Sequence, residues 1–209
     1  MNIALQQVVL QSYLVSFDDT ERCIAKLHMK GKWIFGYGSL LWRPDFDFEI
    51  SRVAFCRGWV RHFWQGSPDH RGTPSAPGRV VTLTSESNAV CGGMAFYVTE
   101  QKLDSVVGLL NLREKNGYTL SEVELEFMDG DRVHALTYIA YKNNVSYLGP
   151  ASMTEMALQI GNAVGPSGTN EEYLFSLAFH LDNLGIRDSE VSCLAECLLR
   201  RKSEKDEVI

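Results

Sequence analysis

The sequence lacks long hydrophobic runs, an excess of positive charge and closely paired cysteines, and each absence excludes a class of protein. No apolar run approaches the roughly 20 residues that a membrane-spanning helix needs, so we expect no membrane partner. The net charge is −6, and the longest basic cluster, 200–202, is followed directly by acidic residues. Because phosphate backbones are recognised by clustered Lys and Arg, we also expect no nucleic-acid partner.

The cysteines predict a reduced protein and therefore a cytoplasmic location. There are five, an odd number, and no two of them form a C-x-x-C pair. Residues 1–5 lack the basic segment and the cleavage site of a secretory signal. Cys193 and Cys197 lie four apart on a predicted helix with no histidine in the same segment, so packing thiols are favoured over a metal site. The histidines show no metal-ligand spacing either, and we expect no metal.

Length and composition fit one domain with short additions at both ends. With 209 residues, 45% of them hydrophobic, the chain can bury a substantial core. We predict an N-terminal extension over 1–31 that forms a helix or arm, and a principal domain over 32–186. A C-terminal helix with a charged tail is predicted over 187–209.

Strand patterns fill most of the principal domain and helical patterns its end. Aromatic and β-branched runs or clean alternation indicate strands, whereas apolar residues at helical spacing indicate helices. This order, with the strands first and most helices late in the chain, predicts an α+β fold with an antiparallel and possibly closed sheet flanked by helices. The predicted strands are 33–35, 53–66, 79–83, 90–98, 122–127 and 132–141, and the predicted helices are 100–115, 152–164, 170–183 and 189–202.

The chain is organised around the loop Gly36-Tyr37-Gly38-Ser39, which ends the first predicted strand. Two glycines separated by one residue let backbone N–H groups point together at an anion or carbonyl. A dinucleotide fingerprint would need a third glycine at position 41, and a nucleophile elbow around Ser39 would need glycines at 37 and 41. Neither is present. We therefore interpret the loop as a binding cradle, with a simple turn as the alternative, and Ser39 is not predicted to be a covalent nucleophile.

A second loop, 67–78, contains three prolines and two glycines in twelve residues. Long ordered loops in compact domains are often functional, and a surface connection without function is the alternative. His70 and Arg71 in this loop are candidates to orient a substrate carboxylate or to stabilise the loop itself, and the sequence leaves both roles open.

Glu114 is the principal acidic candidate. It is predicted in the last turn of an otherwise apolar helix, where the negative end of the macrodipole disfavours ionisation, and burial would act in the same direction. The pKa of its carboxyl should then be raised, which suits a group that accepts and returns a proton. Arg113 and Lys115 need not neutralise it, because helical neighbours point about 100° apart. An exposed glutamate in a charged helix end is the alternative that the residues alone favour.

Several segments, in order along the chain, resemble the ChaC-type glutathione-specific γ-glutamylcyclotransferases. The similarity runs from about Trp33 to about Leu184 and leaves both ends of the chain without a counterpart. The segments that carry it are 35–40, 63–67, 69–72, 77–83, 113–115, 117–118, 147–150, 165–168 and 172–175.

This resemblance implies a small β-barrel-like sheet with flanking helices, and a γ-glutamylcyclotransferase domain over 32–186. It implies cleavage of glutathione to 5-oxoproline and cysteinylglycine without a metal or cofactor. It places the essential glutamate of the family at Glu114, which reverses the preference for an exposed residue. The strand end and loop that would hold the γ-glutamyl group are Ile34, Phe35, Gly36, Tyr37, Gly38, Ser39 and Leu40.

Other interpretations stay open. The enzyme could prefer other γ-glutamyl amino acids or amines, or the chain could be a binding or regulatory module that has lost catalysis. A thiol-redox role for Cys193 and Cys197 is a more distant alternative. The sequence leaves open the oligomeric state, and whether the loop amides bind the substrate carboxylate or the developing oxyanion.

Overall fold

The computed structural model describes residues 30–206, so the predicted N-terminal extension lies outside the described residues except for its last two. The strands of this part are β1 (Gly31–Gly36), β2 (Ile50–Ser67), β3 (Gly78–Thr99), β4 (Tyr118–Phe127), β5 (Arg132–Ala140), β6 (Val164–Gly165) and β7 (Gly168–Thr169). The helices are α1 (Glu100–Arg113), α2 (Met153–Asn162), α3 (Asn170–Asn183) and α4 (Ser189–Asp206), with a short 3-10 helix at Ser39–Leu41.

Five strands close into a barrel in the order β1-β3-β2-β4-β5, with β5 returning to β1. The pairs β1–β3, β2–β3, β2–β4 and β4–β5 are antiparallel. The closing pair, β1 and β5, is parallel, with Trp33 opposite Ala135 and Ile34 opposite Leu136. Closure leaves the barrel without the open edges that invite pairing with other chains. The predicted α+β fold with a barrel-like sheet and flanking helices is confirmed.

The two strands predicted at 79–83 and 90–98 are parts of one strand, β3. Its pairing with β2 shifts where Arg57 faces Val90 and Trp59 faces Ser85, so residues 86–89 are opposite Gly58 alone. Gly58 has a φ of 77°, a left-handed conformation that favours glycine. The four-residue bulge at 86–89 carries exposed polar residues such as Glu86 and Asn88. For that reason the sequence pattern predicted a break between two strands.

The two faces of the barrel strands bury two apolar clusters. The main core joins one face of the strands, with Phe35, Phe63 and Leu125 all at most 1% exposed, to α2, α3 and α4. The second cluster packs the opposite face of β1 against α1, through Ile34 and Leu110. Each such side chain contributes roughly 1.5–3 kcal/mol when fully buried, so these clusters hold the helices in place.

The helices lie close to their predicted positions, and α3 matches its predicted range of 170–183. α2 begins at a capping box, in which Ser152 accepts from the Glu155 N–H and the Glu155 carboxylate accepts from the Ser152 N–H. α4 shares the core of the principal domain, because its residues Val191, Leu194 and Leu198 are buried in the main cluster. Among residues 30–206 no helix combines the length and the apolar character needed to span a membrane.

Candidate active site

Two adjoining pockets form the candidate site. The larger has a volume of about 190 Å³ and the smaller about 40 Å³. Ser39, Glu114, Tyr118 and Tyr173 line both of them. A ligand that extends from one pocket into the other would therefore pass beside these four side chains.

The smaller pocket is formed largely by the loop that follows β1. Six of the seven residues predicted to hold a substrate line it: Phe35, Gly36, Tyr37, Gly38, Ser39 and Leu40. Ile34, the seventh, lines neither pocket, because strand alternation directs its side chain into the cluster beneath α1. A side-chain contact between Ile34 and a substrate therefore has no basis in this geometry.

The two loop glycines are required by close packing. A Cβ at Gly36 would lie 2.6 Å from the Cβ of Leu40, where the chain turns into the 3-10 helix. A Cβ at Gly38 would lie 2.9 Å from Cγ2 of Val81 and 3.1 Å from the hydroxyl of Tyr173. The loop thus approaches its neighbours more closely than any larger residue allows.

A buried arginine holds the same loop from behind. Arg61 is 2% exposed, and its Nε donates to the Tyr37 carbonyl at 2.7 Å. Its Nη1 pairs with Oδ2 of Asp188 at 2.7 Å, and its Nη2 donates to the carbonyl of Gly92. A guanidinium has five N–H donors, which is enough for these three acceptors. The ion pair with Asp188 compensates the buried positive charge. The backbone of the loop is therefore fixed before any ligand arrives.

Glu114 lies at the C-cap of α1, where the two pockets meet. Its side chain is 17% exposed. Burial raises the pKa of its carboxyl, and the nearby negative charge of Asp69 raises it further. The predicted direction of this shift is confirmed, with burial as its leading cause.

Arg113 contacts Glu114, which corrects the expectation that its charge points elsewhere. The Arg113 Nε lies 3.6 Å from Oε1 of Glu114 and opposes the rise in the pKa of that carboxyl. Glu114 is the C-cap of α1, with a φ of −95° and a ψ of 26°. Arg113 Nη2 also donates to Oγ of Ser39 at 2.8 Å, and so connects the acid to the loop.

The tyrosines of the site stay protonated at neutral pH. Burial raises the pKa of Tyr37, Tyr118 and Tyr173 above the usual value for a phenol. The Tyr118 hydroxyl donates to the carbonyl of Val81 at 2.6 Å. Of the four residues shared by the two pockets, Glu114 is therefore the one suited to exchange a proton near neutral pH.

The proline-rich loop 67–78 forms one wall of the larger pocket and is tied to the β6–β7 hairpin and α3. Arg71 Nη1 donates to the Thr169 carbonyl at 3.0 Å and to Oε2 of Glu172 at 2.9 Å. His70 Nδ1 lies 3.0 Å from Oγ of Ser167. These contacts support the loop-stabilising role left open for His70 and Arg71, although both residues also line the pocket.

Reasoning from sequence missed Arg61 and the contact between Arg113 and Ser39. A signal for Arg61 is present in the alternation of β2, since Arg61, Phe63 and Gln65 share one buried face. An arginine at an inward position of a strand needs a buried partner, and this one is supplied by Asp188, 127 residues along the chain.

No metal-binding group is apparent in the described range. Among these residues, no three His, Cys, Asp or Glu side chains are placed to hold a metal ion. Cys56, Cys91, Cys193 and Cys197 are free thiols. Cys197 is half-buried and packs against the main core, as predicted, whereas Cys193 is exposed, so the prediction of a packing thiol is wrong for Cys193.

Comparison with known proteins identifies the family. The family model for ChaC-like proteins matches residues 32–201, which is most of the chain. The chain belongs to the ChaC-like family. This ChaC-like chain is 45% identical over 150 residues to human glutathione-specific gamma-glutamylcyclotransferase 1, covering 70% of the chain and 68% of the human protein. It is 42% identical over 186 residues to gamma-glutamylcyclotransferase 2-3 of Arabidopsis thaliana, covering 84% and 92%.

The fold agrees with a solved structure of a relative. A yeast gamma-glutamyl cyclotransferase specific to glutathione superposes with a TM-score of 0.77 at 30% identity, covering 82% of the ChaC-like chain and 96% of the yeast chain. The closed barrel with its flanking helices is therefore a fold that this relative shares.

Proposed function

We propose that this ChaC-like chain is a γ-glutamylcyclotransferase that cleaves glutathione to 5-oxoproline and cysteinylglycine. The observation that carries the proposal is the position of Glu114, a largely buried carboxyl with a raised pKa at the junction of the loop-lined pocket and the larger pocket. The family match and the names of the human and yeast relatives support glutathione as the substrate.

Both reacting groups belong to one molecule. The α-amine of the glutamyl residue attacks its own γ-carbonyl carbon, a five-membered ring forms, and the bond to the cysteinyl nitrogen breaks. The smaller pocket would hold the glutamyl chain curled, and the larger would take the cysteinylglycine half. Well-oriented intramolecular reactions gain roughly 7–11 kcal/mol, so holding this geometry supplies much of the acceleration. The proposed reaction needs no cofactor, because no electrons are transferred and the nucleophile is already present in the substrate.

Glu114 carries the protons between the two nitrogens. The attacking amine has a reference pKa of about 7.7–8.0 and is largely an ammonium at neutral pH. Over the reaction it loses two protons and becomes the lactam N–H, while the departing amide nitrogen gains two and leaves as an ammonium. A carboxyl with a raised pKa can take a proton from the first nitrogen and return one to the second. Glu114 lies between the pockets proposed to hold these nitrogens.

Several features support a cytoplasmic location and the absence of a nucleic-acid partner. The cysteines are odd in number and lack C-x-x-C spacing, and the net charge is −6. Glutathione is the small-molecule partner that the proposal requires.

The proposal is tested by 5-oxoproline release from glutathione by the wild type and Glu114→Gln. The glutamine keeps the shape of the side chain but cannot transfer the proton, and general acid–base action is worth about 10²–10⁴ in rate. Turnover should fall at least about a hundredfold, whereas Glu86→Gln, at an exposed position of β3, should match the wild type.

Substrate choice is resolved in the same assay. Faster 5-oxoproline release from γ-glutamylalanine than from glutathione would favour the broader γ-glutamyl specificity. A wild type inert toward both compounds would favour a binding module, and a Glu114→Gln variant that keeps full activity would contradict the mechanism.

A further inference from the structure

The Asp69 carboxylate forms part of the wall of the larger pocket. Its Oδ2 atom is buried and accepts no hydrogen bond from any residue that the structure describes. The His70 Nε2 lies 3.4 Å away, at ion-pair distance but without hydrogen-bond geometry. Because Oδ2 is closed to solvent while the Asp69 side chain is 28% exposed, Oδ1 is the carboxylate oxygen that remains available to a donor on a ligand in this pocket.

The loop around Asp69 is held in place on both sides. The Arg71 N–H donates to Oγ of Ser67 at 3.0 Å, and the Ser167 N–H donates to the His70 carbonyl at 2.9 Å. Gly165 lies so close to the same carbonyl that a Cβ would collide with it. The Asp69 carboxylate is therefore carried by a segment with little freedom to find another partner.

The position of Asp69 indicates which half of a substrate it faces. Asp69 lines the larger pocket but not the smaller, whereas Glu114 lines both. The two carboxylates are near enough for the charge of Asp69 to act on Glu114. Asp69 thus lies on the leaving-group side of the proton-transferring acid.

We propose that Asp69 accepts a hydrogen bond from the departing cysteinyl nitrogen and pairs with it as it becomes an ammonium. This inference rests on the proposed function. In bound substrate the donor is the scissile amide N–H. After ring closure breaks the C–N bond, the two protons lost by the attacking amine reside on the departing nitrogen, and its positive charge faces Asp69. Charge-assisted hydrogen bonds are about twice as strong as neutral ones, so Asp69 contributes most late in the reaction.

The test is product inhibition of 5-oxoproline release by the wild type and Asp69→Asn, whose amide keeps the shape but removes the charge. The inhibition constant of cysteinylglycine, which carries the ammonium, should rise roughly tenfold or more. The inhibition constant of 5-oxoproline should stay unchanged, because that product occupies the smaller pocket. With glutathione, kcat should fall more than KM rises. Asp104→Asn, at an exposed position of α1, is the matched control for loss of an acidic charge.

Other results would contradict either the role of Asp69 or the proposed function. Equal inhibition of wild type and Asp69→Asn by cysteinylglycine, or equal weakening of both products, overturns the role of Asp69. If the variant turns over too slowly for inhibition assays, calorimetric titration with the same two products gives the same comparison. A wild type that releases no 5-oxoproline would contradict the proposed function itself. An active wild type whose kinetics and product inhibition equal those of Asp69→Asn would contradict this inference alone.

Discussion

The two pockets of the candidate site differ in how their walls are held. The smaller is bounded by β1, its loop and β5, and Arg61 fixes it through hydrogen bonds buried in the barrel. The larger is bounded by the proline-rich loop and by charged side chains such as Arg43 and Asp45, which are more than half exposed. The smaller pocket is held from within the barrel, whereas the larger is held by contacts between loops and by side chains that are partly exposed.

This difference suits a reaction in which one half of the substrate is constant. Every γ-glutamyl compound presents the same glutamyl group, and its cyclisation demands a fixed geometry, which rigid walls supply. The leaving group varies between substrates, and loops are the elements that tolerate variation. We therefore expect damage to the smaller pocket to reduce turnover of all γ-glutamyl substrates, and changes in the larger pocket to alter the preference among them.

The largest effect is expected from Arg61→Met, which disrupts the smaller pocket from behind. Removing the guanidinium leaves Asp188 and two carbonyls without their buried partner, and breaking a buried pair typically costs about 3–5 kcal/mol. Thermal or urea unfolding should show this loss. The matched control is Arg57→Met on the same strand, where the ion pair with Glu126 is exposed and little change is expected.

Arg61→Lys separates stability from positioning. Lysine keeps the charge and a single donor group but cannot reach three acceptors in a fork. This variant should recover part of the stability while kcat/KM with glutathione stays below that of the wild type. Full activity in Arg61→Lys would show that the hydrogen bond to the Tyr37 carbonyl does not position the loop.

A smaller effect is expected from Gly38→Ala, which crowds the smaller pocket from within. The new methyl would lie 2.9 Å from Val81, and overpacking of this kind costs about 1–3 kcal/mol. KM for glutathione and for γ-glutamylalanine should rise about tenfold, by a similar factor for each. Gly108→Ala in α1, where a Cβ meets no atom within 4 Å, is the control. An unchanged KM in Gly38→Ala would count against the loop as a cradle.

The smallest effect is expected on the thermal stability of the protein, through the raised pKa of Glu114 at the junction of the pockets. The folded-state pKa of Glu114 is raised, so its stabilising contribution is complete below the unfolded value and is lost as pH rises through the folded value. Once ionised, Glu114 is therefore destabilising, by about 1.4 kcal/mol for each unit of pKa difference. Glu114→Gln should melt above the wild type at pH values above the folded-state pKa of Glu114, and the gap should narrow as pH falls through that value and be closed at the reference value of 4.5. A gap that is constant with pH, or equal to that of Glu86→Gln, would contradict this.

Local signals in the sequence predicted most elements but not their partners. The helix at 170–183 follows a glycine and a threonine cap, and its predicted and observed limits coincide. The parallel pairing of β1 with β5, which closes the barrel, joins residues about a hundred positions apart, such as Ile34 and Leu136. Alternation determines which face of a strand is buried, but it carries no information about which strand lies alongside.

The candidate site shows the same difference between local features, which the sequence predicted, and contacts between side chains, which it did not. The raised pKa of Glu114 was predicted from its place at a helix end, but its burial was not, because the residues alone favoured an exposed glutamate and only the family resemblance reversed that preference. The contact from Arg113 was not predicted, since it depends on the conformations of two long side chains, which the residue types do not specify. The position of Asp69 in the pocket wall was not predicted either, because it depends on how the proline-rich loop packs against distant residues such as Ser167.

The start of α4 has a consequence for where this protein can be shortened. Asp188 neutralises Arg61, and the Glu190 carboxylate accepts the backbone N–H of Phe63 at 2.7 Å, so the first turn of the last helix secures the strand behind the loop. A truncation at the predicted limit of residue 186 would remove both carboxylates and uncover the apolar residues of α2 and α3 that α4 covers, such as Ile160 and Leu174. The smallest fragment able to keep its shape therefore extends through most of α4, and an affinity tag placed after that helix would disturb the protein less than one that replaces it.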